Sequence, residues 1–274
     1  MTTSRIHPSA VVDPAAQIDP TAIIGPFCVV GADVKIGPET ELVSHVVIAG
    51  KTTIGARNRI FPFASLGQPP QDLKFRGEKT ALTIGDDNTI REYVTMNPGT
   101  EGGGAVTRIG SHNLFMALAH VAHDCQIGDH CVFANNATLA GHVQVGDNAI
   151  LGGLSAVHQF VRIGRNAIVG GASGVAFDVI PFGSVLGNRA TLRGLNLVGL
   201  KRQGFPREVI HKLRQAYRMM FAEEGSMADR VSDVAELFKE IPEVMEVTTF
   251  VAGSKRGICL PNGAEDKSAG EAND

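Results

Sequence analysis

"IGSHNLFMALAHVAHDCQIGDHCVFANNATLAGHVQV", residues 109–145, carries an apolar residue at every sixth place: Ile109, Phe115, Val121, Ile127, Phe133, Leu139 and Val145. Downstream the step runs on to Val175. Upstream it holds without exception from Ile6 to Leu66 and again at Ile84, Ile90 and Met96, giving 26 slots in all. Four places after the slots stand short residues, Ala10, Ala16, Ala22, Cys28 and Val34 early in the chain and Ala119, Cys125, Cys131, Ala137, Val143 and Ala149 later. Positions one and five of each hexad therefore point inward. Positions two to four, rich in Gly, Pro, Ala and Asp, form a corner, and positions five, six and one alternate as a short strand.

Six-residue faces of this kind are the signature of a hexapeptide parallel β-helix, whose three-sided coil takes about 18 residues. Coils of this class wind left-handed, against the usual crossover rule. The expected class is all-β with an α-helical C-terminus: a left-handed parallel β-helix of hexapeptide repeats over 1–190, followed by a small helical domain over 191–258 and a flexible tail over 259–274. Two interruptions, about 67–82 ("GQPPQDLKFRGEKTAL") and 100–108 ("TEGGGAVTR"), read as loops thrown out from the prism. Beyond 191 the period changes. "FPREVIHKLRQAYRMMFAEEG" has Pro206 placed for a first turn, apolar residues at helical spacing and an end at Gly225; Ser226 caps a second helix, and "PEVMEVTTFVAG" gives a third.

The 274 residues, 43% of them hydrophobic, suffice for a sizeable core, and 32 glycines with no tryptophan suit many short strands and turns. A net charge of -3 gives no nucleic-acid signature. No apolar run reaches the roughly 20 residues of a membrane helix and no secretory signal opens the chain, so a cytoplasmic protein without a membrane span is expected. Cys28, Cys125 and Cys131 fall at the inward position five and read as small core residues in a reduced compartment.

The register also places the polar residues. His123 and Asp124 hold positions three and four of the Val121 hexad and so lie on a corner. Residues three hexads apart stack at about the 4.8 Å inter-strand spacing. One edge therefore collects Asn97, His123, Asp124, Gly141, His142, His158 and Gln159, while His112 and His130 stack on another. A single corner histidine is more often a solvated one. Three of them with an aspartate and a glycine have the makings of a site: a histidine suited to general-base work, a carboxylate to fix its tautomer, and a bare backbone N–H for a developing oxyanion.

Taken in order, the repeats, "QDLK", "AHDCQIGD", "NNATLAGHV", "AVHQF", "GNRAT" and "GLKRQGF" resemble the bacterial UDP-N-acetylglucosamine O-acyltransferases that open lipid A synthesis, over about residues 5 to 258. The resemblance implies a homotrimer with active sites between subunits. It implies transfer of a 3-hydroxyacyl group from acyl carrier protein to the glucosamine 3-hydroxyl of UDP-N-acetylglucosamine, with no metal and no cofactor. Carried over, His123 is the general base, Asp124 orients it, and the Gly141 N–H holds the oxyanion. Asp72 and Lys74 meet the sugar nucleotide; His120, His142, His158 and Gln159 line sugar and acyl groups; Asn196, Arg202 and Arg189 face nucleotide or phosphopantetheine; Gly171 leaves room for a long acyl chain. Lys201, Arg202, Arg207, Lys212, Arg214 and Arg218 offer an acidic carrier protein a landing surface.

Two departures from the family's pattern stand out. "MNPGT" replaces the common "IHRGT", putting Asn97 and Pro98 where a histidine and an arginine are usual, and Arg189 replaces a histidine in "GNRAT". The first leaves open a 3-amino sugar as acceptor. A sibling N-acyltransferase usually has a separate N-terminal domain, whereas here hexads begin at Ile6. A γ-type carbonic anhydrase would need three converging zinc ligands, and His123, His142 and His158, at positions three, four and two, form no evident triangle. A scaffold without catalysis would need neither the histidine edge nor the first loop.

Overall fold

The computed structural model describes residues 5–261. Twenty-five short strands, from Val11–Val12 to Gly174–Val175, each end on one of the apolar slots, and the remaining slot, Ile6, bridges Ile24. The strands stack into three parallel sheets, the faces of a left-handed β-helical prism. The first face runs from Val11–Val12 to Gly174–Val175 and the second from Gln17–Ile18 to Arg162–Ile163. The third starts at Ile23–Ile24 and ends in a hairpin, Gly183–Leu186 with Thr191–Leu195.

Partners in regular coils are 18 residues apart, as Val12 is from Val30. Across the two loops the separation grows to 30, Leu66 to Met96, and to 25, Met96 to Val121. Strands resume at Ala81 and Val106, so the irregular segments, 67–80 and 97–105, differ by a few residues from the expected loops.

The core is a column of position-one and position-five side chains, with Phe115, Phe133, Ile60, Leu66 and Met96 fully buried. Burying each such side chain is worth about 1.5–3 kcal/mol. Position five is not uniformly apolar. Thr40, Asn58, Asn88 and Asn113 form a buried ladder under one edge, in which Asn88 N–H donates to Asn58 Oδ1 (2.9 Å), Asn113 N–H to Asn88 Oδ1 (2.9 Å) and Cys131 N–H to Asn113 Oδ1 (2.6 Å). The four cysteines are free and buried, and burial pushes the Cys125, Cys131 and Cys259 thiols up to about 12.

Corners follow one geometry. Among the described residues, twenty non-glycine residues have positive φ, and nearly all of them sit at position four. Nine of the twenty are Asp, Asn or His, the types that tolerate this region best. Position three carries Pro at 8, 14, 20, 26, 38, 62 and 98, because the N–H there lies outside the inter-coil ladder and is not missed.

The strand Thr191–Leu195 carries the third face past the expected boundary at 190. Among the described residues four helices follow: α1 (Leu197–Arg202), α2 (Arg207–Met220), α3 (Met227–Leu237) and α4 (Pro242–Ala252). α1 is an addition to the three expected, and α2 ends at Met220 instead of Gly225. There Arg230 of α3 takes the carbonyls of Met220, Glu224 and Gly225 and so holds a turn in place of a further helical one. Ser226 caps α3 as expected, accepting from Asp229 N–H at 3.1 Å. α4 leans on the second face through the Arg165–Glu246 ion pair and through Arg162, whose guanidinium lies over the Phe250 ring.

After α4 the chain returns to the prism as a strap. Asp178 pairs with Ile258 and Leu192 with Pro261, and Cys259 is buried. Residues 259–261 are thus sheet-paired, correcting their assignment to a tail; the rest of that expected tail, 262–274, lies outside the described residues. Pairing the last strands with the strap leaves the upper ends of two faces covered.

Candidate active site

The corner 122–125 between the first and second faces holds the candidate base, His123, and its candidate carboxylate partner, Asp124. His123 Nδ1 lies 2.7 Å from Asp124 Oδ2, and Asp124 is almost fully buried although its φ is +60°. Three further hydrogen bonds fix the aspartate. Thr100 donates its N–H to Oδ1 (2.8 Å) and its hydroxyl to Oδ2 (2.6 Å), and Asp124 N–H donates to Thr107 Oγ1 (2.8 Å). A carboxylate so surrounded accepts a hydrogen bond from His123 Nδ1–H, which keeps the ring proton there and leaves Nε2 with its lone pair.

Gly141 sits one coil above, against the His123 ring. A Cβ there would fall 2.5 Å from His123 Cε1 and 2.6 Å from Nε2, so a side chain would displace the ring. As a position-three residue it keeps its N–H out of the ladder, and among the described residues that N–H meets no acceptor. Glycine is therefore required for the ring's close approach, and the position also offers an open donor.

The second loop closes the back of the site. Cβ atoms on Gly99 or Gly103 would clash with the Asp124 carboxylate, so this stretch wraps Asp124 at backbone distance. His142 meets His123 edge to face, with ring centroids 5.0 Å apart, and stacks flat on Phe160 at 4.3 Å. Burial holds His142 below the ordinary imidazole range, with Asp124 pulling the other way and the charge of Asp72 also felt there. His120 is lowered by burial and then by His123, and its Nδ1 lies 2.7 Å from Thr95 Oγ1. His123, Asp124, Gly141, His142, His120 and Asp72 thus come together.

Others stand apart. Asn97 is buried at the foot of the first loop, its Nδ2 donating to the carbonyls of Gln68 (3.0 Å) and Pro69 (3.3 Å), so it anchors that loop. Asn196 caps α1, accepting from Gly199 N–H and donating to Asn166 O, and both ends of its amide are in use. Lys74, Arg189 and Arg202 are exposed. Gln159 is exposed beside His158, whose Nδ1 faces Arg256. Gly171 lies on the edge between the third and first faces, a different edge from His123.

Phe160, Thr100 and Thr107 were not expected. Phe160 was within reach, since it holds position four directly over His142; the threonines depend on the path of a loop that periodicity does not describe. As for zinc, donor atoms of His123, Asp124 and His142 lie within 4.8 Å of one another. His158 is not part of that group, and Asp124 with His123 Nδ1 is already spent on hydrogen bonds, so no three-histidine set converges.

The comparisons with known proteins bear on the family and the fold. The family model described as UDP N-acetylglucosamine O-acyltransferase, domain 2, matches residues 178–259, and that of the bacterial transferase hexapeptide (six repeats) matches 107–141. The acyl-[acyl-carrier-protein]–UDP-N-acetylglucosamine O-acyltransferase of Caulobacter vibrioides is 57% identical over 257 residues, covering 93% of this chain and 98% of its own. That of Rickettsia canadensis is 54% identical over 260 residues, covering 94% and 98%. Among solved structures, the Francisella novicida UDP-N-acetylglucosamine acyltransferase superposes with a TM-score of 0.92 at 39% identity, covering 98% and 99% of the two chains. The Acinetobacter baumannii protein gives 0.90 at 43%, covering 93% and 99%. With relatives matched end to end at more than half of their residues, and helices and prism alike superposing on solved members, this chain belongs to the UDP-N-acetylglucosamine O-acyltransferase family.

Proposed function

We propose that this protein transfers a 3-hydroxyacyl group from acyl carrier protein to the glucosamine 3-hydroxyl of UDP-N-acetylglucosamine, the first step of lipid A biosynthesis, in the cytoplasm. The observation that carries the mechanism is the His123–Asp124 pair poised over the open N–H of Gly141.

His123 Nε2 takes the proton of the sugar 3-hydroxyl while Asp124 Oδ2 steadies the imidazolium that forms. The sugar oxygen attacks the thioester carbonyl carbon, and the negative charge gathering on the carbonyl oxygen is met by the Gly141 N–H. The tetrahedral intermediate collapses, the C–S bond breaks, and His123 returns its proton to the leaving thiolate. Ester and carrier thiol are the products, and the thioester supplies the activation, so no metal or cofactor enters the scheme.

The acceptor side falls to Asp72 and His142 and the carrier to the helices. Lys201, Arg207, His211 and Arg214 line an open groove of about 580 Å³ with Phe205 and Ile210, suited to an acidic, acylated partner. Exposed Phe27, Phe63, Tyr93, Leu118 and Leu154 run up the edge between the third and first faces and support packing against further copies, as a homotrimer. On that edge Gly171 can measure the acyl chain only across the first face or from another copy. Asn97 anchors the first loop through its Nδ2, while its buried Oδ1 meets no partner among the described residues; the hydroxyl acceptor is the one that the relatives' names carry.

Product mass spectrometry tests the reading. Purified protein is mixed with a 3-hydroxyacyl carrier-protein series and either UDP-N-acetylglucosamine or its 3-amino analogue, with His123→Ala as control. The expected product is the O-acylated sugar nucleotide, absent in the control; no transfer to either acceptor would overturn the proposal.

A further inference from the structure

Arg256 has no place in the scheme above, yet it reaches the edge of the site. It lies on the strap that returns from α4, between two anchors: Ser254, whose hydroxyl donates to Asp178 Oδ2 (2.8 Å), and Gly257, whose carbonyl accepts from Asp178 N–H (2.9 Å). Between these points the guanidinium has little freedom. Its Nε donates to the carbonyl of Ala176 (2.7 Å) and its Nη2 lies 2.8 Å from His158 Nδ1. His158 is itself pinned one coil above the Leu139 hexad, its N–H donating to Val175 O (2.9 Å).

The chemistry of this pair has one solution. A guanidinium is always a donor and never an acceptor. The His158 Nδ1 that faces it must therefore carry a lone pair, and the ring proton sits on Nε2. The alternative partner of Nδ1 is the carbonyl of Gln159 at 3.2 Å, which would demand the opposite tautomer, Nδ1–H. The two contacts exclude each other. The shorter one comes from an always-charged donor and fixes the ring.

We propose that Arg256 is a positioning residue for acyl transfer: from the C-terminal strap it holds His158 as the Nε2–H tautomer, so that this edge of the cleft presents a hydrogen-bond donor to an acceptor oxygen of the acyl donor. The proposal rests on the acyl-transfer reading for its consequence but not for its geometry. It also gives the strap a part in substrate recognition, because the residues that seal the prism's end carry the group that sets the tautomer.

Histidine-selective ¹⁵N NMR at pH 8 reads the tautomer directly. The wild-type protein should show a protonated Nε2 and an unprotonated Nδ1 for His158, assigned with His158→Gln. In Arg256→Ala the proton should move toward Nδ1, and KM for the acyl donor should rise about 5- to 20-fold with kcat within about 2-fold. Arg256→Lys, which keeps one charged donor, should recover most of the loss. A wild-type His158 protonated on Nδ1 would overturn the assignment, whether or not the variants fold. So would an Arg256→Ala protein whose tautomer and KM both match wild type. If the wild-type protein transfers no acyl group while the tautomer is as expected, the functional reading falls and the Arg256–His158 geometry stands.

Discussion

On the edge between the second and third faces His112 and His130 lie flat on one another, centroids 4.8 Å apart at 4°, while on the edge between the first and second faces His123 and His142 meet at 5.0 Å and 90°. In sequence the two pairs look alike. His112, His130 and His142, with His45, all hold position four, where the backbone has positive φ and histidine is among the tolerated residues. Their presence there needs no chemistry to explain it. His123 sits at position three, where Pro is common and no backbone preference asks for histidine. Its neighbour Asp124 is buried by a loop, whereas the acid nearest His112, Asp87, is 3.9 Å away and half of the His112 side chain faces solvent. A histidine ladder is thus a by-product of the corner geometry, and a site begins where a residue departs from it and a loop excludes water.

This contrast can be broken most sharply by deleting one histidine from each edge. His123→Ala should lower kcat/KM by about 10² to 10⁴-fold, the range of a general base, while His130→Ala should stay within about 2-fold; comparable losses in steady-state assays would mean the edges are not distinct. The loop's part is tested by Thr100→Val, which keeps the shape but removes the hydroxyl donated to Asp124 Oδ2. We expect kcat to fall about 10-fold with KM little changed and the thermal unfolding still cooperative. An unchanged kcat would reduce the loop to a cover.

The smallest expected effect is on stability against pH. Burial lowers His120 and His142, so the folded state takes up fewer protons than the unfolded chain. Stability is then level above about pH 6.5, the unfolded imidazole value, and declines as pH falls below it toward the folded values. Urea midpoints measured from pH 7.5 down to 5 should show this acid limb, shallower in His120→Gln; a limb unaffected by that change would assign it to other groups.

How much could be read beforehand follows from the same geometry. The slots, the inward cysteines and the edge holding His123, Gly141 and His142 all depend on a period of six, which the apolar residues write openly. Asn196 was placed in the site by resemblance and Asn97 by the stacking register, and their side chains are engaged as a helix cap and a loop anchor. Those roles depend on α1 and on the first loop, which have no periodic signal. Arg256 was missed for a related reason: it is 98 residues from His158 and joins it only through the returning strap.

The 18-residue spacing between stacked partners makes the molecule a screw, and length changes in it come in quanta. Removing one whole coil, for example residues 19–36, shortens the prism by one thread and leaves every later residue on its own face. Removing six advances the whole later chain by one face relative to the earlier coils. The screw itself survives such a step, but the phase between its lower threads and its upper ones is lost, and with it any surface assembled from both. For this fold, indels of equal chemistry should be tolerated according to their remainder on division by 18, a rule that concerns arithmetic before it concerns side chains.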